Sequence, residues 1–85
     1  MLSAWLGLSF LGTSDTRRTA ALALVEEAEG YFRQQTEDSY RQAIKKFDEA
    51  KVRWHSIGDD SEEAKILNRE GEVYYWLGEL PESLV

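Results

Sequence analysis

Few side chains in this sequence could take part in chemistry, and most of those are carboxylates. His55 is the only histidine, and the chain has no cysteine. A His–Cys pair and a thiolate zinc site are therefore excluded. A serine hydrolase would need a nucleophile motif to work with His55, and none accompanies it. The pattern is typical of a surface histidine, and we predict no catalytic residue.

Two groups of acidic residues are dense enough to suggest a cation site. Asp59, Asp60, Glu62 and Glu63 lie together, and residues 26–29 carry three glutamates. The first group lacks the spaced oxygen ligands and the mid-loop glycine of a calcium loop, whereas helix capping accounts for it directly. The second group is typical of a solvated helix face. We predict no metal site and no cofactor.

Charge and composition narrow the classes of protein that fit. The chain is 42% hydrophobic and 31% charged, with a net charge of −6, which indicates a folded domain. Acids and bases balance in residues 1–58, so residues 59–85 carry the whole excess of negative charge. An acidic segment disfavours nucleic acid as a partner, because a surface that binds its phosphates requires clustered Lys and Arg. No strand-type alternation is sustained, so we predict an all-α protein.

The first segment, residues 1–13, is apolar but shorter than the roughly 20 residues that span a bilayer as a helix. No basic residue precedes the apolar run, and no small-residue cleavage site follows it, unlike a signal peptide. We expect the segment to pack on the helices of a cytoplasmic protein, without a membrane partner. A membrane-tethered or exported protein that uses residues 1–11 is the alternative.

Residues 14–58 are predicted to form a helical hairpin. Thr13, Ser14 and Asp15 are capping residues, so the first helix should begin near Asp15. Gly30 lies inside that helix, where we expect a close helix crossing. Apolar residues of the second helix recur at steps of three and four, which predicts one buried stripe. The stripe consists of Tyr40, Ala43, Phe47, Ala50, Trp54 and Ile57.

Residues 59–85 are predicted to form a third helix and the start of a fourth. Asp59 is a candidate N-cap, and Gly78 a candidate C-terminal stop. Pro81 suits the first turn of the truncated fourth helix. The third helix is expected to pack through residues at steps of three, four and three. These are Ala64, Leu67, Gly71 and Tyr74.

Residues 64–85 resemble the first two-thirds of a tetratricopeptide repeat, with Glu70 standing where the family has leucine. Residues 20–58 resemble a diverged preceding repeat. Glu29-Gly30 and Glu70-Gly71 match at a separation of 41 residues. That spacing is similar to the repeat regions of bacterial proteins that carry a caspase-like CHAT domain. The resemblance implies right-handed stacking of about one and a half repeats. The repeat-packing residues it implies are Gly30, Ala43, Phe47, Ala50, Leu67, Gly71, Tyr74 and Gly78.

The resemblance also implies a function, as a protein-interaction or scaffold module that binds a protein or peptide through the surface of its first helices. Three aromatic residues in succession cannot all face one core, because they point about 100° apart. Because Tyr74 belongs to the packing stripe, Tyr75 and Trp76 must contact another helix, a second copy of the chain, a partner or solvent. The expected partner-contact residues are Lys65, Asn68, Arg69, Glu72, Tyr75 and Trp76. A self-associating helical homodimer is the main alternative.

Overall fold

The computed structural model describes the backbone of residues 2–79 and the side chains of residues 15–79. It contains three helices: α1 (Leu2–Gln34), α2 (Glu37–Ile57) and α3 (Asp60–Leu77). Two-residue joints turn the chain back each time, so neighbouring helices are antiparallel, and no strand occurs in the described part. The all-α, helical-hairpin prediction is confirmed. The predicted fourth helix lies outside the described residues.

α1 begins far earlier than the sequence indicated. It runs without a break from Leu2, so the expected start near Asp15 is wrong. Ser, Thr and Asp are only modestly poorer helix formers than their neighbours, and no proline interrupts the run. Arg18 bonds to Asp59 at the start of α3. Residues 2–13 therefore extend past that end of the bundle, away from Tyr74.

The helix ends are defined by local hydrogen bonds that the sequence anticipated. At the start of α2, the Ser39 N–H donates to Thr36 Oγ1 at 3.0 Å, and the Thr36 N–H donates to Ser39 Oγ at 2.9 Å. These reciprocal bonds form a capping box. The Asp59 carboxylate accepts from a backbone N–H in the first turn of α3. Gly58 and Gly78 end α2 and α3 in the left-handed conformation.

The core is built around the predicted stripe of α2. Phe47 and Trp54 are the large buried residues of that stripe. Its small alanines let the other two helices approach closely. The buried residues that complete it are Ala21 and Ala28 of α1, Ala43 and Ala50 of α2, and Ile66 and Val73 of α3. The predicted α2 stripe is buried at Ala43, Phe47, Ala50 and Trp54 and partly buried at its two ends, whereas the role of these residues in repeat packing stays a prediction.

α3 packs through a different face from the one expected. Ile66, Glu70 and Val73 are buried against the hairpin, whereas Leu67 is 52% exposed and Tyr74 is only partly buried. The predicted packing of Leu67, Gly71 and Tyr74 on the hairpin is therefore wrong. The two stripes are one residue apart, which rotates the helix by about 100°.

The interior glycines do not mark close helix crossings. A Cβ at Gly71 would meet no described atom within 4 Å, and one at Gly30 would meet only the end of the Arg33 side chain, at 3.9 Å. The close crossing expected at Gly30 is wrong. Both positions are tolerated within otherwise good helices at a cost of about 1 kcal/mol each.

Two glycine substitutions are expected to change stability in opposite directions. Gly58 has a φ of 84°, so Gly58→Ala should lower the free energy of unfolding by about 1–2 kcal/mol through left-handed strain. Gly71 is helical with open space around it, so Gly71→Ala should raise the free energy of unfolding by up to about 1 kcal/mol. Urea denaturation followed by far-UV circular dichroism measures both. Equal changes in the free energy of unfolding for the two variants would contradict the left-handed conformation of Gly58.

Candidate functional site

A groove between α1 and α3 is the first feature of the described surface that could hold a ligand. Both helices pack on α2, which leaves a furrow between them with a volume of about 390 Å³. Val25, Phe47 and Ile66 give it an apolar floor, one residue from each helix. We call it the α1–α3 groove. The residues that line it are Val25, Glu29, Phe47, Glu62, Lys65, Ile66, Asn68 and Arg69.

Arg69 bridges the two walls of this groove. Its Nε donates to Glu29 Oε1 at 2.7 Å, and its Nη2 donates to Glu29 Oε2. Nη1 donates to Glu72. The guanidinium also lies 4.8 Å from the centre of the Phe32 ring, within cation–π range. The hydrogen bond to Glu29 is the main cause that raises the pKa of Arg69. The bridge therefore fixes α1 and α3 relative to each other.

Three of the six expected partner-contact residues, Lys65, Asn68 and Arg69, line the groove together. Two of them already have intramolecular partners, because Lys65 Nζ lies 3.0 Å from Glu62 Oε1 and Arg69 bonds to Glu29. Both of these cations are therefore paired with carboxylates of the same chain. Nothing in the sequence marked the role of Glu29, which lies 40 residues from Arg69 in the chain.

Tyr75 and Trp76 are both exposed to solvent among the described residues, with 63% of each residue accessible. Their rings pack edge to face, with centroids 5.5 Å apart. By helical spacing, Trp76 shares a face with Lys65 and Arg69, which line the groove. Tyr75 instead lies on a second face with Leu67. The two aromatic residues therefore extend two different surfaces of α3.

The second surface is the outer face of α3, which consists of Ala64, Leu67, Gly71 and Tyr75. Ala64, Leu67 and Tyr75 are exposed, and a side chain at Gly71 would meet no described atom. These residues recur at steps of three and four, so they form one apolar stripe along the helix. It is largely the stripe that the resemblance assigned to repeat packing. In the described part of the chain nothing packs on it.

A buried carboxyl lies in the interface between α2 and α3. Glu70 is 6% exposed, and Lys51 Nζ lies 3.1 Å from its Oε1 and 3.3 Å from Asp48 Oδ1. Burial, followed by interaction with the Asp48 carboxyl, raises the pKa of Glu70 to about 7 against the opposing effect of Lys51. The sequence singled out Glu70 only as a departure from the repeat pattern, expected to weaken local packing.

The residues first considered for chemistry have structural partners. His55 is exposed, with Nδ1 3.1 Å from Glu63 Oε1. Asp59 caps α3, and the pKa of its carboxyl is lowered by the Glu62 N–H and then by Arg18. Within the part that the structure describes, no group of three or more His, Cys, Asp or Glu residues could hold a metal ion. No described helix is long and apolar enough to cross a membrane.

Comparison with known proteins finds no similar protein for this chain. No family model matches the chain, and neither a curated protein nor a solved structure is significantly similar to it. The tetratricopeptide and CHAT resemblance therefore stays a prediction that rests on the residues quoted for it. What the chain can do has to be argued from the α1–α3 groove, the outer face of α3 and the carboxyl in the interface.

Proposed function

We propose that this chain is a protein-interaction module that holds a peptide segment of its partner in the α1–α3 groove, without catalysis. The observation that carries the proposal is the apolar floor of Val25, Phe47 and Ile66 in an open furrow between two helices. Interaction hot spots are commonly bulky apolar side chains seated in such recesses. The tetratricopeptide resemblance points the same way, since it expects contacts from the first helix of each repeat.

The dimensions and charges of the groove define the kind of segment that fits. A volume of about 390 Å³ lies at the lower end of concave binding sites, which hold about 300–1,000 Å³. One bulky apolar anchor with a few flanking contacts would fill it. Glu29, Glu62, Lys65 and Arg69 balance in charge and are bonded to one another or to neighbours. The anchor side chain is therefore uncharged, and Asn68 offers an amide for its backbone.

A selection from a phage-displayed peptide library tests the proposal. We expect the recovered peptides to share a bulky apolar residue and to bind the purified chain. Asn68→Trp should weaken their binding by at least tenfold, because an indole at this exposed groove position would occupy the furrow. The measurement is the dissociation constant by isothermal titration calorimetry, compared with the unmodified chain.

The matched control places the same bulk elsewhere. Arg53→Trp adds an indole on the exposed side of α2, far from the groove, and should leave the affinity unchanged. Amide chemical-shift changes on adding the peptide should cluster at Val25, Ile66 and Asn68. Failure to recover any peptide, or equal binding to both variants, would reject the groove as the binding site.

A second candidate function is self-association through the outer face of α3. Leu67 is 52% exposed and Tyr75 is 63% exposed, and apolar residues at these spacings suit packing against a second copy of the same helix. We expect Leu67→Glu to abolish any dimer seen by sedimentation velocity, with Val52→Glu on α2 as the control. A monomer at all concentrations would remove this candidate.

A further inference from the structure

The α2–α3 interface holds a cluster of charged groups where the rest of the interface is apolar. Glu70 lies between Ile66 and Val73 on the buried face of α3, one turn from each. On α2, Lys51 reaches both Glu70 and Asp48, with N–O distances of 3.1 Å and 3.3 Å. Asp48 is exposed, so the cluster opens to solvent at one edge. Two carboxyl groups thus share a single ammonium group.

Among the described residues, Asp48 and Lys51 are the charged groups that act on the Glu70 carboxyl. On α3 itself, Tyr74 lies one turn further along, and the pKa of its hydroxyl is raised chiefly by burial and then by Asp48 and Glu70. From α1, Arg18 and Glu29 reach the third helix and its cap, where they bond to Asp59 and Arg69 instead. The second negative charge in the cluster is therefore uncompensated whenever Glu70 is ionised.

We propose that Glu70 is a proton-controlled latch, which holds α3 firmly on the hairpin when its carboxyl is neutral and loosens it when the carboxyl is charged. A neutral Glu70 can donate a hydrogen bond to the Asp48 carboxylate, and it removes the excess charge from the buried face. An ionised Glu70 leaves two carboxylates on one Lys51 in a largely apolar interface. Because α3 forms one wall of the α1–α3 groove, the latch also sets how rigid that wall is.

The direction of the pH effect follows from proton linkage. The pKa of Glu70 is about 7 in the folded chain, against an ordinary value of 4.5. The folded state therefore binds the proton more tightly than the unfolded state. The stabilisation is fully present below pH 4.5 and is lost as the pH rises through 7. Lys51 stays protonated over this range. Burial acts most strongly to lower its pKa, but the combined hydrogen bonds and charges of Glu70 and Asp48 raise that pKa above 10.5.

Native-state hydrogen exchange of the free chain tests the latch without any partner. The opening constant of α3, read from the amides of Val73 and Tyr74 after correction for intrinsic exchange, should rise between pH 5 and pH 8. The pKa values set an upper limit on the order of tens-fold for that rise. Glu70→Gln should remove the rise and keep α3 as protected at pH 8 as the unmodified chain is at pH 5.

Two controls separate this latch from other titrations. Every chain in this comparison, including the reference chain, carries His55→Gln, which removes the single imidazole. Glu26→Gln removes an exposed carboxyl of α1 and should leave the rise in α3 opening intact. The proposal is overturned if the opening constant of α3 is independent of pH, or if Glu70→Gln keeps the same pH dependence as the unmodified chain.

A direct titration covers the case in which Glu70→Gln does not fold. The side-chain carboxyl carbon of Glu70 can be followed by nuclear magnetic resonance in the His55→Gln chain. We expect its midpoint near pH 7, well above the ordinary carboxyl value of 4.5. A Glu70 midpoint at that ordinary value would overturn the latch. Neither experiment depends on the groove. The peptide-binding proposal can therefore fail while the latch stands, and the latch can fail while the peptide-binding proposal stands.

Discussion

Phe47→Ala is expected to remove about half of the free energy of unfolding of this protein. The Phe47 side chain is fully buried where the three helices meet, and it forms part of the floor of the α1–α3 groove. Truncating a buried phenylalanine costs about 3–5 kcal/mol, through lost burial and the cavity left behind. An 85-residue chain has a total stability of only about 5–10 kcal/mol. Urea denaturation followed by circular dichroism should show the midpoint fall sharply or vanish.

The matched control for this substitution lies on the same helix. Val52 is 67% exposed, so Val52→Ala should change the free energy of unfolding by no more than about 0.5 kcal/mol. Similar losses for the two variants would mean that the core is not centred on the α2 stripe. Peptide binding should also weaken with Phe47→Ala, but that loss would report the destabilised fold rather than the groove alone.

The parts of the fold that the sequence predicted are those determined by local rules. The α2 stripe alternates at steps of three and four with charged residues between, so its buried face is unambiguous. The same holds for the ends of α3: Asp59 accepts a bond from the N–H group three residues away. Gly78 ends the helix for the same local reason. None of these features requires knowledge of the tertiary arrangement.

The face of α3 was mispredicted because this helix carries two apolar stripes. The stripe through Leu67 and Tyr75 looks complete in sequence, but the structure leaves it open. The stripe that packs on α2 contains Ile66 and Val73 with a glutamate between them. From sequence alone, a glutamate at position 70 is expected to face solvent unless its partner is known. Lys51 supplies the partner from 19 residues away, which no pattern within α3 reveals.

Local sequence rules could predict neither the start of α1 nor the partners of the groove residues. Thr13, Ser14 and Asp15 are capping residues by type, but capping needs the preceding chain to leave the helix, and here the helix continues. The groove residues Lys65 and Arg69 were identified by resemblance. Their actual partners follow from the parallel arrangement of α1 and α3 around α2, which only the fold provides.

The burial of the Glu70 carboxyl is the difference between sequence prediction and structure that has the largest expected effect on stability. Its neighbours along α3 are apolar and buried, so an ionised carboxylate there loses hydration that one ammonium group, shared with Asp48, restores only in part. A well-packed apolar side chain of similar size needs no such compensation. Lys51 would keep its contact with Asp48 at 3.3 Å, and its own side chain is 31% exposed, so its charge would stay solvated and paired.

Glu70→Leu is therefore expected to raise the free energy of unfolding at pH 8 by about 1–4 kcal/mol, the range seen when buried ion pairs give way to apolar residues. The gain should shrink at pH 5, because Glu70, with a pKa of about 7, is then neutral in the folded chain. Urea denaturation at the two pH values measures both effects. Glu26→Leu, an exposed site on α1, controls for added hydrophobicity and should change little. A loss of stability at pH 8 would show instead that the bond between Lys51 and Glu70 contributes more than burial costs, and that α3 docks through the ionised pair.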